Sequence, residues 1–318
     1  MNLLNHSVFL PAFHKQMLIL CFRSYIESAG HTCELRDAGE FQSPADVVNL
    51  VSEHPKFEAA LAIHLFKAGR LLMDIEIPFG VIFGGTDINE DVKVEQKRVV
   101  MEQVLLKASC LCVYITGIQT DVTEKFCWTE FLRSSGTISH VDELRVFLLV
   151  CGLRRVKDPL YLVEVFSKWH CENLLNVLVI IGPKVSKQTE FCHCFYRTAG
   201  VFLAQERCQQ ELHAAMKRCF AVVNSSVSEG MSAAILEAID LGVPVLARNI
   251  PGNAAVVQHE VTGLLYSSPQ EFVHQSQRLL SDHELRERVV RNGKLYVEER
   301  HGVNQERETY QRLVDTLH

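Results

Sequence analysis

No stretch of this 318-residue chain holds the roughly 18–20 uninterrupted apolar residues that would span a bilayer. Nor is there a run of lysine and arginine. The 32 basic residues are outnumbered by 38 acidic ones, and a net charge of −6 without a basic patch argues against a nucleic-acid partner. No internal repeat and no low-complexity tract is evident. No Gly-x-Gly-x-x-Gly follows a candidate strand, which sets aside a dinucleotide oxidoreductase. Glycine is absent before Gly30. The 11 cysteines are odd in number and irregular in spacing. Cys110, Cys112, Cys151 and Cys219 lie in apolar runs, where cysteine behaves as a small core residue. A reduced chain is expected rather than a disulfide framework. Cys192-His193-Cys194 looks like a metal fragment, but no second pair stands at finger spacing, so no metal is assigned.

What is present suits a globular protein: 47% of residues are apolar and 22% charged. The length allows one large or two ordinary domains. Short apolar runs predict strands at residues 33–35, 57–63, 80–83 and 110–115, and again at 146–150, 177–181, 201–203, 220–223 and 243–246. Helical patterns lie between them, at 45–52, 92–107, 159–169, 209–217, 232–241, 270–279 and 282–292. Alternating strands and helices predict an α/β class with parallel sheets covered on both faces. There are too many units for one small sheet, so two Rossmann-like domains are expected. The polar, turn-forming residues of 116–140 suggest a linker, and the division is placed at 1–135 and 136–318.

The N-terminal apolar runs, Val8-Phe9-Leu10 and Met17 to Phe22, are interrupted by Pro11, His14, Lys15 and Gln16 and follow no positive region. They form a poor signal peptide, so a cytoplasmic location is expected, with secretion as the alternative. Asn5-His6-Ser7 and Asn224-Ser225-Ser226 fit glycosylation sequons; the second is expected to go unused, since it lies at a strand end beside the candidate site.

The most informative stretch is Ser228-Glu229-Gly230-Met231-Ser232-Ala233-Ala234-Ile235-Leu236-Glu237-Ala238. An apolar strand precedes it, so the pattern is strand, turn, helix. Glu229 stands at the turn, and Glu237 follows eight residues later among helix formers. Eight helical residues rotate by about 800°, which is about 80° past two full turns. Both carboxylates can therefore face one cleft. The amides of Gly230, Met231 and Ser232 would open an anion site at the helix start. Two acceptors for sugar hydroxyls beside an anion site suit a nucleotide-sugar. The plain alternative is a dipole-complementing first-turn Glu followed by one on a solvated face.

A second site lies at Gly152-Leu153-Arg154-Arg155-Val156-Lys157-Asp158-Pro159, where a buried strand opens into a turn with three cations in four residues. Arginine can hold a diphosphate bidentately and lysine as a point charge. A solvated basic loop is the other reading. Gly182 ends the strand before Pro183. In the first half, Asp87 could bind a sugar or cap a turn, and His64 could line a cleft or be a satisfied core histidine.

These motifs come in order. Glu229-Gly230 through Glu237 is followed by Gly242-Val243-Pro244-Val245, Pro251-Gly252 and Thr262-Gly263-Leu264-Leu265. Together they resemble the donor half of retaining glycosyltransferases of family 4, also called group 1. The resemblance implies a GT-B fold, two Rossmann-like domains facing a central cleft, with the terminal helix around 295–317 crossing back to the first domain. It implies sugar transfer from a nucleoside-diphosphate sugar to an unidentified acceptor, with retention, no metal and no separate cofactor. By resemblance, Arg154 and Lys157 hold the donor pyrophosphate and Glu229 meets the transferred sugar. Glu237 takes the ribose hydroxyls, Gly230, Met231 and Ser232 take phosphate, and Gly182, Asn224 and Ser225 line the pocket. The loop Gly84-Gly85-Thr86-Asp87 resembles one that enters the cleft from the acceptor side, which places Gly85, Asp87 and His64 there. The chain departs from the family pattern at Gly84, where many relatives carry His, and in residues 1–16, which match no expected first strand and glycine loop. A catalytically impaired binding or regulatory protein and a sugar-nucleotide epimerase stand as alternatives.

Overall fold

The computed structural model describes residues 2–7, 53 and 113 by their backbone and residues 23–52, 57–84, 87–88, 90–112, 120–136, 143–183 and 199–317 in full. The chain divides into two compact units. One comprises Met1–Gly117 with Gly302–His318, and the other Ile118–His301. The helix Trp128–Ser134 thus belongs to the second unit, although the sequence division at 135/136 assigned it to the first. The physical reason is its apolar face: Trp128, Phe131 and Leu132 are buried in a core with Val146, Leu148 and Val177.

The first unit is built on a parallel sheet of β1 (Asn2–Ser7), β2 (Thr32–Asp37), β3 (Phe57–Ile63), β4 (Phe79–Phe83) and β5 (Cys110–Val113), in the order β2-β1-β3-β4-β5. β1 is a correction to the sequence analysis, which placed no strand there. It pairs with β2 from Asn2↔Thr32 to Ser7↔Asp37 and with β3 on its other side. Alternate residues of β3 feed two cores: Phe57, Ala60 and Ala62 face Val47, Leu71 and Val104, while Ala59 and Leu61 face Tyr25, Ile26 and Cys33. The helix Val303–Asp315 completes the second of these cores with Tyr310, Leu313 and Val314. There the Tyr25 hydroxyl donates to Glu306 Oε2 at 2.9 Å.

Among the described residues, the second unit has a six-stranded parallel sheet. Its strands are β6 (Arg145–Val150), β7 (Asn176–Ile181), β8 (Val201–Ala204), β9 (Ala221–Asn224), β10 (Val245–Arg248) and β11 (Leu264–Tyr266). Their order is β11-β10-β9-β6-β7-β8. Counted from β6, this is the 3-2-1-4-5-6 order of the doubly wound nucleotide-binding fold. The order reverses between β6 and β9, which pair through Phe147↔Ala221, Leu148↔Val222 and Leu149↔Val223. Open α/β sheets bind ligands outside the carboxyl ends of the strands at such a reversal. On one face Phe147 meets the rings of Phe166, Trp169, Phe220 and Phe272 at centroid distances of 5.2–6.1 Å. The other face carries Val146 and Leu148 against Ile235, Leu236 and Ile239 of the helix Ala233–Asp240.

Candidate active site

The loops leaving β6 and β9 are bonded to each other. The Val227 amide donates to the Val156 carbonyl at 2.9 Å, and Ser225 Oγ donates to the Lys157 carbonyl at 2.9 Å. Across this seam Lys157 Nζ forms an ion pair with Glu229 Oε1. The same oxygen accepts from Ser226 Oγ at 2.7 Å and from Asn224 Nδ2 at 3.2 Å. Asn224 Nδ2 also lies 3.4 Å from Ser232 Oγ. Lys157, Glu229, Asn224, Ser225 and Ser232, which the sequence singled out separately, therefore meet in one polar cluster at the sheet's reversal point.

The cluster rests on a rigid polar floor. Asn224 is buried, and its Oδ1 accepts from Asn253 Nδ2 at 2.9 Å. Its carbonyl accepts the hydroxyl of the fully buried Tyr266 at 2.7 Å. Burial pushes the Tyr266 phenol well above its ordinary range, so it stays a donor. Arg248 donates to Asp158 Oδ2 at 3.0 Å and to the Ser225 carbonyl at 3.2 Å. Its guanidinium stacks 3.7 Å from the Tyr161 ring centroid. Asn253, Arg248 and Tyr266 were missed by the sequence analysis. Their signal is only that Asn253 and Tyr266 directly follow Pro251-Gly252 and Thr262-Gly263-Leu264-Leu265, two of the motifs that carry the resemblance. The burial of Asn224 also leaves its sequon without an exposed amide.

The helix begins at Ala233 with Ser232 as its N-cap residue, one position later than the sequence pattern suggested. Ser232 makes no side-chain cap bond, so the amides of Ala233 and Ala234 have no intrahelical acceptor. Gly230 has open space where a Cβ would lie, and Met231 is half-buried against the core. Arg154 and Arg155 are exposed on the same basic turn. Gly182 abuts that turn: a Cβ on it would stand 2.1 Å from the Cys151 carbonyl oxygen, which only glycine avoids. Burial pushes the nearby Cys151 thiol up to about 12, so it is no nucleophile.

Glu237 belongs to a second cluster. It is buried, and its Oε1 accepts from Gln209 Nε2 at 3.1 Å while His213 Nε2 lies 3.7 Å from Oε2. Gln209 and His213 come from the neighbouring helix Gln209–Arg218 and were not singled out in the sequence.

In the first unit His64 and Asp87 form a buried pair, with Nδ1 and Oδ2 3.2 Å apart. The Asp87 carboxylate also accepts from the amides of Leu65 (2.7 Å), Gly84 (2.9 Å) and Phe66 (3.1 Å). Asp87 thus caps the turn after β4 and clamps it to the loop after β3. A Cβ on Gly84 would stand 2.4 Å from the His64 ring, so the glycine makes room for that histidine. Of the two readings the sequence left open for each, this geometry agrees with a turn-capping Asp87 and a buried core His64. Gly85 and Cys192-His193-Cys194 lie outside the described residues. No helix of the described residues is long and apolar enough to cross a membrane, and the described cysteines are free thiols.

Comparison with known proteins fits this geometry. The family of group 1 glycosyl transferases matches residues 134–296. Glycosyltransferase 1 domain-containing protein 1 of Xenopus tropicalis is 47% identical over 324 residues, covering 94% of this chain and 93% of the relative. The chain belongs to the group 1 glycosyl transferase family. Among solved structures, this glycosyltransferase is similar to HepE of Anabaena in complex with UDP and glucose, with a TM-score of 0.77 at 15% identity over 98% of this chain and 99% of that one. It is also similar to sucrose-phosphate synthase of Thermosynechococcus elongatus, with a TM-score of 0.75 at 14% identity over 99% of each chain. At these identities the likeness speaks for the fold, which is GT-B, as the sequence resemblance implied.

Proposed function

We propose that this glycosyltransferase moves a sugar from a nucleoside-diphosphate donor to an acceptor with retention at the anomeric carbon and without a metal, as the family 4 resemblance implies. The observation that carries the reading is the meeting of Lys157 and Glu229 where the order of the nucleotide-binding sheet reverses. Lys157 and Arg154 would face the donor diphosphate, joined by the free amides at the start of the Ala233–Asp240 helix. Glu229 would accept hydroxyls of the sugar, and Glu237 those of the ribose. HepE of Anabaena has also been solved in complex with UDP-glucose, which makes UDP-sugars the first donors to test.

In the proposed step the bond from the anomeric carbon to the β-phosphate oxygen breaks. A bond to the acceptor oxygen forms on the same face, and the acceptor proton passes to the leaving phosphate oxygen. The nucleoside diphosphate departs with the bonding pair, and its growing charge falls to Lys157 and Arg154. Catalysis is then positioning and electrostatics, with the cations doing what a metal does elsewhere. The test is incubation with UDP-, GDP- and ADP-sugars and an acceptor array, with and without EDTA, followed by NMR of the product. Release of nucleoside diphosphate with a product of the donor's anomeric configuration, unaffected by EDTA, is expected. An inverted product or an EDTA-sensitive rate would overturn the corresponding part of the reading.

A further inference from the structure

Glu237 is not placed by its own helix alone. Gln209 and His213 are four residues apart in the helix Gln209–Arg218, so their side chains share a face. The Gln209 amide lies 3.1 Å from Glu237 Oε1 and 3.2 Å from His213 Nε2. His213 Nδ1 accepts from the Asp121 amide at 3.0 Å and lies 3.0 Å from the Asp121 carbonyl oxygen. The Asp121 backbone thus holds Nδ1, and the Gln209 amide links Nε2 on the other side of the ring to the Glu237 carboxylate. The next turn of the Glu237 helix closes the ring, because Asp240 Oδ2 accepts from Thr120 Oγ1, beside Asp121.

His213 is fully buried, flanked by the buried Leu212, Ala214 and Ala215. An imidazole in that place costs desolvation that an apolar side chain would avoid. The polar ring ties the Glu237 helix to the helix Gln209–Arg218 and to residues 120–121, with Gln209 on Glu237 Oε1 and His213 Nε2 3.7 Å from Oε2. We infer that His213, acting through Gln209, is a positioning residue that orients the Glu237 carboxylate for recognition of the vicinal hydroxyls of a nucleoside's ribose. The inference rests on the proposal that Glu237 receives those hydroxyls.

The test is a ligand–mutant cycle by calorimetry. UDP, GDP and ADP are each titrated beside the 2′,3′-dideoxy analogue and inorganic pyrophosphate, into the wild-type chain, His213→Phe, Gln209→Leu and Glu237→Ala. His213→Phe keeps the ring volume and removes the nitrogens. Gln209→Leu breaks the same chain at a half-buried site, and decides the matter if His213→Phe does not fold. The wild-type chain is expected to prefer the ribose form over the dideoxy form by about tenfold. That preference should shrink to about twofold or less in both variants while pyrophosphate affinity is unchanged, since only one charge-assisted contact is misaimed. A preference kept at the wild-type value in folded variants, but lost in Glu237→Ala, overturns the role of His213 and spares that of Glu237. A wild-type chain that binds nucleotides without ribose preference, or binds none, overturns the reading of Glu237 and the inference with it.

Discussion

Gly252 lies flat against the loop that carries Glu229. A Cβ added to Gly252 would stand 2.0 Å from the Glu229 carbonyl oxygen and 3.1 Å from that of Gly230. Both obstacles are backbone, so neither can swing aside. Gly252→Ala is therefore expected to push the Glu229 loop off its floor, with a cost of about 1–3 kcal/mol. Urea denaturation would show the lower midpoint, and nucleotide titration a weaker site. An unchanged midpoint with unchanged binding would mean that the loop has room to move.

Lys157 is the cation that faces Glu229 across the seam. If it stabilises the leaving diphosphate, Lys157→Ala should lower turnover by about 100-fold, the scale of losing one preorganised donor. Nucleoside diphosphate affinity should fall in parallel. Steady-state assays of both quantities check this. A variant with normal turnover would assign the charge stabilisation to Arg154 or to the helix amides.

Arg248 does three things at once: it pairs with Asp158, holds the Ser225 carbonyl and stacks on Tyr161. Lysine keeps the charge but lacks the flat, forked shape. Arg248→Lys is expected to destabilise the second unit by about 1–2 kcal/mol. Hydrogen exchange should quicken in the loops around 158 and 225. Protection equal to the wild type in those loops would contradict the bracing role.

Asp87 gives a pH signature in the first unit. Burial alone would raise its carboxyl, but the hydrogen bond and charge of His64 and the amides of Gly84 and Phe66 outweigh burial and hold it below the ordinary 3.8. A depressed native value means that the unfolded chain takes up the proton more readily. The contribution is complete above 3.8 and is lost as pH falls through the depressed native value. Asp87→Asn should therefore be less stable than wild type by about 1–3 kcal/mol at neutral pH. The gap should close in acid. A gap that stays constant between about pH 7 and pH 3 would show that the charge of Asp87 does not matter.

Much of the second unit was legible in the sequence because its strands are continuous apolar runs. Val177–Ile181 is buried throughout, and the helix after Glu229 announces itself by composition. β1 was not legible, since Asn2, Asn5 and His6 dilute the apolar pattern and no glycine marks its end. β11 spans three residues, too few to show a period. The single helix read over 295–317 is two, because Gly302 caps a new helix and the chain passes there into the other unit. At the site, Glu229 and Lys157 stood out because each lies at a strand end within a motif. Gln209 and His213 did not, since their meaning arises only when the helix Gln209–Arg218 packs on the helix of Glu237. Asp87 was a surface-type residue by identity, and only the fold shows it buried among amides.

The central claim is that the reversal point of the second sheet is a nucleotide-sugar donor site. Calorimetric titration of the purified protein with UDP, GDP, ADP and their common sugars, beside Glu237→Ala, tests it most directly. The account predicts saturable binding of one nucleotide, lost in the Glu237→Ala chain. A folded wild-type chain that binds none of them would contradict it.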